Sequence, residues 1–250
     1  MDTNNKEQIT FTSNSMENLI NQLQIKVNEH CFLKDPNSSE LGRNIVSHSI
    51  VMIDEIGFES FTFRKLAQRL QSTESSIYRY FESKFKLLIY VTTWYWSFME
   101  YLLLFSTSNI QSPEERLKRA LRVVAGGDQG LDPVGMIDLK VLKRIVVSES
   151  SKAYLNRAVV EANKAGLYAG YKQVIARLGN IILEINPSYP YPRSLASTVL
   201  EGIHHQKYFA DHLPSLTDIQ DDPENLAGFF HHLILAVIKN EENLWKADTQ

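Results

Sequence analysis

Hydrophobic residues recur every three to four positions along most of the chain, which is the spacing of one face of an α-helix. The first long stripe begins near Ser39 and includes Ile45, Met52 and Ile56. Gly57 follows at the position where a helix commonly ends in a left-handed residue. Patterns typical of β-strands are almost absent, so the sequence predicts an all-α protein.

Two short helices are predicted after this first one. Thr62 precedes a stretch with apolar residues at helical spacing, and a break at "QST" separates it from a second stretch, Ser75 to Phe81. In the second stretch Ile77 and Phe81 lie four residues apart and should share the buried side. Two short helices joined by a brief turn, after a stabilising helix, form the outline of a helix-turn-helix.

The rest of the chain is predicted to form a larger helical domain. A long helix from about Ser83 to Phe105 is apolar on nearly every side, so it must be covered all round. Further helices are expected over residues 112–125, 138–148, 151–185, with a break near Gly166 or Gly170, 194–212 and 224–245. The chain is therefore divided into an N-terminal extension with a short helix (1–38), a three-helix helix-turn-helix domain (39–88) and a helical effector-binding and dimerisation domain (89–250).

Charge is distributed unevenly along the chain. The formal net charge of the 250 residues is −3. Residues 61–90 carry six basic and two acidic side chains, which leaves −7 for the remainder. This distribution argues against a uniformly basic coat and directs attention to the helix-turn-helix segment.

The second short helix carries the side chains that could read DNA. In a helix-turn-helix it enters the major groove with its N-terminal residues toward the base edges. Small hydroxyls permit close approach, arginine can bond bidentately to guanine, and tyrosine can reach a phosphate or a thymine methyl. The residues expected to point outward are Glu74, Ser75, Ser76, Tyr78 and Arg79, and Lys84 at the start of the next helix could hold a phosphate. On spacing alone, DNA binding and an exposed basic helix pair without a DNA partner are equally open.

The segment "GFESFTFRKLAQRLQSTESSIYRYFESKFKLL", Gly57 to Leu88, resembles the N-terminal DNA-binding domain of the TetR family of transcriptional regulators. Its tyrosine-x-tyrosine-phenylalanine run followed by serine-lysine is more specific than a generic helix-turn-helix. The resemblance is strong from Ser39 to Leu88 and rests only on helix order and length beyond. It implies phosphate contacts from Thr62, Tyr78, Tyr80 and Lys84, contacts at or near bases from Arg64, Glu74, Ser75, Ser76 and Arg79, and a core role for Ile77 and Phe81.

For function, the resemblance implies a repressor that binds double-stranded DNA as a homodimer at a two-fold operator. A small-molecule effector would release the protein from DNA. It would favour a conformation in which the two helix-turn-helix units of the dimer, its reading heads, are spaced so that they no longer fit successive major grooves. Half-sites about one helical turn apart require two linked reading heads, which independently favours a dimer.

Three residues depart from the family pattern. Gln71 stands where the family usually has a turn glycine, Ser72 where it has a small apolar residue, and Glu74 places a carboxylate close to DNA phosphates. The extension before Ser39 is also longer than is typical of the family. These departures motivate a second hypothesis, a TetR-fold helical ligand-binding or interaction protein with weakened DNA binding.

The last two predicted helices carry wide apolar stripes. Two such helices from each subunit could build a four-helix interface with two-fold symmetry. The residues predicted for this interface are Val199, Ile203, Phe230, Leu233 and Val237. The alternative is that these side chains pack within one monomer.

An aromatic cluster on the long helix is the candidate effector site. The residues assigned to it are Trp94, Phe98, Met99 and Tyr101, with Trp96 among them in the sequence. Such a pocket would take an apolar or aromatic ligand. Aromatic residues at this density also commonly form core, and that interpretation stays open.

Other classes of function have little support. The chain has no glycine-rich phosphate loop and no nucleophile elbow, so we expect no enzyme and no cofactor. The pairs His204-His205 and His231-His232 lack the i, i+4 spacing of a helical zinc site, so polar lining is favoured over a metal. A single cysteine, Cys31, and the lack of a signal-peptide pattern or a membrane-length apolar run predict a cytoplasmic protein.

Overall fold

The computed structural model describes residues 25–126, 137–154, 159–220 and 222–239. These residues form helices and no β-strand, which confirms the predicted all-α class. The α-helices are α1 (Glu40–Ser60), α2 (Phe63–Arg69), α3 (Glu74–Tyr78), α4 (Lys84–Thr107), α5 (Pro113–Ala125), α6 (Leu139–Tyr154), α7 (Val159–Lys164), α8 (Ala169–Ile185), α9 (Pro192–His212) and α10 (Pro223–Lys239). Short 3-10 turns lie at Glu29–Cys31, Pro36–Ser38 and Pro214–Leu216.

The described residues divide into two compact units. One unit contains residues 25–91 and 137–146, and the other contains residues 92–126 and those from 147 onward. The helix-turn-helix helices lie in the first unit, and α5 and α8 to α10 lie in the second.

Helix α1 begins and bends where the sequence suggests. The Ser39 hydroxyl accepts a hydrogen bond from the Gly42 backbone N–H at 3.1 Å, which caps the first turn. At Gly57 the backbone has φ 74° and ψ 154°, a conformation that favours glycine. The predicted end at Gly57 is therefore a kink, and helical structure continues to Ser60.

The first unit is closed by apolar side chains from every helix of the helix-turn-helix. Ile45, Leu66 and Ile77 are fully buried, and so is Phe81. The Phe81 ring packs edge-on against Tyr90 with 5.3 Å between centroids. These contacts confirm the predicted core positions Ile77 and Phe81.

Capping signals also define the helices of the second unit. The Ser112 hydroxyl accepts from the Glu115 N–H at 3.3 Å, and α5 ends at Gly126 with φ 88° in the left-handed region. The helix predicted over 151–185 is broken at Gly166, where φ is 76°. The predicted helix of the N-terminal extension and the end of the last helix near Trp245 fall largely or wholly outside the described residues.

Close packing joins α9 to α10 within one chain. A Cβ atom on Gly202 would lie 2.8 Å from the Phe230 ring, so the glycine permits the approach of the two helices. Val199 and Ile203 are each 1% exposed and Phe230 is 5% exposed. These three residues, predicted for a subunit interface, therefore belong to the core of one chain, as the alternative interpretation proposed. Leu233, at 37% exposure, and the half-buried Val237 remain accessible.

None of the helices in the described ranges has both the length and the apolar character required to cross a membrane.

Candidate DNA-binding site

Thr62 and the buried face of α2 position the first helix of the helix-turn-helix. The Thr62 hydroxyl oxygen accepts from the Lys65 backbone N–H at 3.3 Å and caps the helix. Phe63 and Leu66 are buried, whereas Thr62 and Arg64 are exposed. The Thr62 hydroxyl hydrogen and the Arg64 guanidinium therefore remain available for an outside partner.

The turn between α2 and α3 is a Schellman motif built on Gln71. The Ser72 N–H donates to the Ala67 carbonyl at 2.9 Å, and the Gln71 N–H donates to the Gln68 carbonyl at 3.2 Å. Gln71 has φ 49°, in the left-handed region where glycine is the usual residue. The chain thus forms the turn expected of this unit with a residue that is strained there.

Thr73 caps α3, a role that was not among the sequence-based predictions. Its hydroxyl accepts from the Ser76 N–H at 3.2 Å and lies 2.8 Å from the Ser76 hydroxyl. The pattern of threonine one residue before the helical stretch could have revealed this cap. Glu74 is the first helical residue and is exposed, and a carboxylate in the first turn is favoured by the helix dipole.

The exposed surface of α3 carries most of the predicted contact residues. Ser75 and Arg79 are exposed, Ser76 is half-buried, and Tyr78 is 46% exposed. The Tyr78 ring packs edge-on against Phe63 with 5.0 Å between centroids, which fixes α3 against α2. Residues Thr62, Arg64, Glu74, Ser75, Ser76, Tyr78 and Arg79, hereafter the reading surface, are thus wholly or partly accessible in the first unit.

Tyr80 is oriented differently from the prediction. Its side chain is 3% exposed and its hydroxyl lies 2.7 Å from the Ser39 hydroxyl. This hydrogen bond and the nearby Lys34 ammonium lower the pKa of Tyr80 below its ordinary value. The predicted phosphate contact by Tyr80 is therefore wrong. Its buried hydroxyl instead joins the residue that follows the α3 cap to Ser39, which directly precedes α1.

Lys84 is also committed to an internal role. Its ammonium donates to the carbonyl oxygens of Phe58, Glu59 and Phe61 at 3.0, 3.1 and 3.2 Å. The same nitrogen lies 4.7 Å from the centre of the Phe58 ring. Since an ammonium has three donors, the predicted phosphate contact by this group is corrected, and Lys84 joins α4 to the end of α1.

Three of the four residues assigned to an effector site are buried, and the fourth, Tyr101, is half-buried. Phe98 is fully buried, Met99 is 3% exposed and Trp94 is 5% exposed. The Trp94 and Phe98 rings stack with 5.5 Å between centroids, and the half-buried Tyr101 stacks on Phe105. The core interpretation left open for this cluster therefore describes its packing.

A small cavity of about 10 Å³ lies elsewhere in the second unit, lined by Thr92, Thr93, Trp96, Tyr154, Leu167, Tyr168 and Tyr171. This volume suits about one water molecule. The Trp96 indole N–H donates to the Tyr154 hydroxyl, and the Tyr171 hydroxyl donates to Glu201 at 2.6 Å. This tyrosine cluster could not be predicted from the sequence, because its members lie on three separate helical segments.

Burial governs the ionisation of these tyrosines. It raises the pKa of Tyr154 well above the ordinary value, and burial together with the Glu201 carboxylate raises the pKa of Tyr171. Both hydroxyls are therefore neutral donors at ordinary pH. The cavity wall combines aromatic faces with a few fixed polar groups.

The histidine pairs lie in different surroundings. His204 is 2% exposed, with its ring centroid 5.6 Å from that of Trp96, whereas His205 and His232 are exposed. Burial lowers the pKa of the half-buried His231. Within the described parts of the chain, no three histidine, cysteine or carboxylate side chains form a metal-binding group.

Comparison with known proteins supports the geometry of the first unit. A family model for "Bacterial regulatory proteins, tetR family" matches residues 45–91, which include α2, α3 and the turn between them. No curated protein sequence matched the chain.

Solved structures share the fold of the chain at low sequence identity. A bacterial regulatory protein in the tetR family from Rhodococcus RHA1 is 14% identical, covers 80% of this chain and 97% of its own, and has a TM-score of 0.59. AibR in complex with isovaleryl coenzyme A and operator DNA is 17% identical, with 76% and 97% coverage and a TM-score of 0.54. The superantigen PfiT is 16% identical, with 83% and 100% coverage and a TM-score of 0.53.

At these identities the structural matches show the fold, and the family model matches the reading segment itself. Residues 45–91 of this chain are thus similar to the tetR-family model, and they lie in a chain whose overall fold is shared with a solved tetR-family protein.

Proposed function

We propose that this protein binds operator DNA through the reading surface and regulates transcription, as a repressor. The observation that carries the proposal is the arrangement of α3. Ile77 is fully buried while Ser75, Tyr78 and Arg79 on the same helix and its cap are accessible. Arg79 supplies a planar donor for guanine or phosphate, and Tyr78 supplies a hydroxyl and an apolar ring.

The proposed form of the regulator is a homodimer at a two-fold operator. Large apolar side chains remain exposed on α9 and α10, with Tyr208 at 37%, Phe229 at 50% and Leu233 at 37%. Phe229 and Leu233 lie four residues apart and share a helix face. A two-fold contact over this face would cover these side chains and pair two reading heads.

The proposed effector is a small apolar or aromatic molecule bound in the second unit. The tyrosine-lined cavity has the composition of a ligand site but too little volume for one, so binding would require its side chains to move apart. A ligand can release the operator only if it binds the two states of the protein with different affinity. AibR, which shares the fold, was solved with isovaleryl coenzyme A. For this chain, measurement of DNA affinity in the presence of acyl and aromatic compounds would identify an effector.

The proposal is tested by measuring the affinity of the purified chain for its own upstream DNA over a range of salt concentrations. Binding through several phosphates should weaken steeply with salt, with a slope of about −0.9 per phosphate contact. A scrambled fragment of equal length serves as the control. Equal affinity for both fragments, or no binding at low salt, would contradict operator recognition.

A second function, a TetR-fold ligand-binding or interaction protein with weakened DNA binding, is favoured by two observations. The superantigen PfiT shares the fold, and its name describes no DNA-binding role. In this chain, the Glu74 carboxylate is exposed beside the side chains proposed to meet phosphates. Absence of DNA binding together with a defined dimer would support this function over the first.

A further inference from the structure

The residues that precede α1 pack against the DNA-reading unit. Residues 25–38, here called the N-terminal strap, contain two 3-10 turns and bury Ile25, Cys31 and Pro36, with Cys31 wholly inaccessible. The family match begins only at residue 45, so the strap lies outside the segment shared with the family model. We propose that the strap positions the recognition helix α3 by holding the residue that follows its cap.

Tyr80 is the residue held, and the strap and Ser39 contact it from several directions. The Leu33 backbone N–H donates to the Tyr80 carbonyl oxygen at 2.7 Å. The Lys34 ammonium lies 5.1 Å from the centre of the Tyr80 ring, and the Ser39 hydroxyl, directly after the strap, lies 2.7 Å from the Tyr80 hydroxyl. Backbone, ring and hydroxyl of one residue are thus fixed together.

The strap is itself anchored to α4. The Lys86 ammonium donates to the His30 carbonyl oxygen at 3.1 Å. The Phe32 ring packs edge-on against Tyr90 with 6.0 Å between centroids, and Tyr90 also contacts Phe81. The strap therefore bridges α4 and the end of the reading segment.

Gly42 provides room for the strap on α1. A Cβ atom at this position would lie 2.2 Å from the Pro36 carbonyl oxygen. Contact this close is possible only without a side chain, and the neighbouring atom is backbone that cannot move aside easily. The sequence of α1 is thus adapted to a strap seated against it.

Positioning matters for DNA reading because α3 is short. A helix of five residues has little stability of its own, and its orientation depends on contacts at its ends. Tyr78 fixes α3 against α2, and the strap fixes Tyr80. The consequence for operator affinity rests on the proposed DNA-binding function, whereas the positioning itself does not.

A matched pair of substitutions tests the proposal. Leu33→Pro removes the N–H that donates to Tyr80, while Leu33→Ala keeps it, and the Leu33 side chain is 65% exposed. Phe32 already has the extended backbone, φ −143° and ψ 161°, that a following proline requires. A second pair of variants are deletions. Deletion of residues 1–38 removes the strap, whereas deletion of residues 1–24 leaves it intact.

The first readout is hydrogen exchange of the backbone amides of residues 77–81 in the protein without DNA. Leu33→Pro and the longer deletion should speed exchange there by about threefold to tenfold, the range of one lost hydrogen bond, while Leu33→Ala and the shorter deletion should not. The second readout is affinity for the selected operator, which should fall over the same range. If the protein that lacks residues 1–38 does not fold, the comparison of Leu33→Pro with Leu33→Ala still tests the proposal.

Equal exchange rates in Leu33→Pro and Leu33→Ala would overturn the strap proposal. Failure of the full chain to bind DNA would instead contradict the proposed function, and the exchange comparison would still decide whether the strap positions α3.

Discussion

The Gln71 backbone conformation is costly at the scale of a single residue. A residue other than glycine at φ 49° incurs a penalty of about 1 kcal/mol. We expect Gln71→Gly to raise the free energy of unfolding by about 0.5–1 kcal/mol, measured by urea denaturation. Gln68→Gly in helix α2 provides the control, because glycine within a helix should lower stability by about 1 kcal/mol. Destabilisation by Gln71→Gly would contradict the account of the turn.

Lys84 should contribute to stability rather than to DNA contact. Lys84→Met removes an ammonium bonded to three carbonyl oxygens, and we expect the free energy of unfolding to fall by about 2 kcal/mol. Lys140→Met, at an exposed position, should change it by less than about 0.5 kcal/mol. The salt dependence of DNA binding should keep its slope in the Lys84 variant. A slope reduced by about one, with stability unchanged, would restore the phosphate contact.

Arg79 is expected to contribute most directly to DNA binding. Arg79→Ala should weaken operator binding by about 1–3 kcal/mol, because the exposed guanidinium loses its contacts to a base or a phosphate. Arg193→Ala removes the same charge from an exposed position on α9 and should leave affinity within about twofold. Fluorescence anisotropy with labelled operator measures both. Equal losses in the two variants would indicate an effect of net charge alone.

At the scale of helices, side-chain caps could be predicted from sequence because their partners lie nearby. Ser112 bonds the N–H three residues later, and Asp138 bonds those two and three residues later. The roles of Tyr80 and Lys84 could not be predicted in this way. Their partners lie 41 and 23 to 26 residues away, and only the tertiary fold of the first unit brings them together.

Burial of the apolar stripes on α9 and α10 was ambiguous for a related reason. Hydrophobic spacing identifies a buried face but not whether the same chain or a partner covers it. Phe230 packs against Gly202 of its own chain, while Phe229, one residue before it, is half exposed. The same ambiguity applies to the candidate effector residues: Trp94 and Phe98 stack on each other, and their role in effector binding stays a prediction.

The exposed apolar face of α10 is the surface through which we expect two chains to form a dimer. Leu233→Glu places a charge in the proposed interface and should shift the protein from dimer to monomer at micromolar concentration, measured by sedimentation equilibrium. Gln173→Glu adds the same charge at an exposed position on α8 and should leave the dimer intact. A dimer that persists in the Leu233 variant would exclude this face from the interface.

For the whole molecule, the sequence alone predicted the all-α fold class and the position of the helix-turn-helix. The division into residues 1–38, 39–88 and 89–250 stays a prediction. In the structure, residues 137–146 belong to the same unit as the helix-turn-helix, joined there by the ion pair of Arg144 with Asp54 at 2.6 Å. Hydrophobic spacing does not show which unit a distant segment packs against, so the placement of residues 137–146 required the tertiary structure.

Selection of genomic DNA fragments bound by the purified protein is the decisive test of operator recognition. We expect enrichment of a few fragments, each with two inverted half-sites about one helical turn apart, and loss of this enrichment in Arg79→Ala. Fragments enriched without a shared two-fold sequence, or no enrichment at low salt, would contradict operator recognition by a TetR-type dimer.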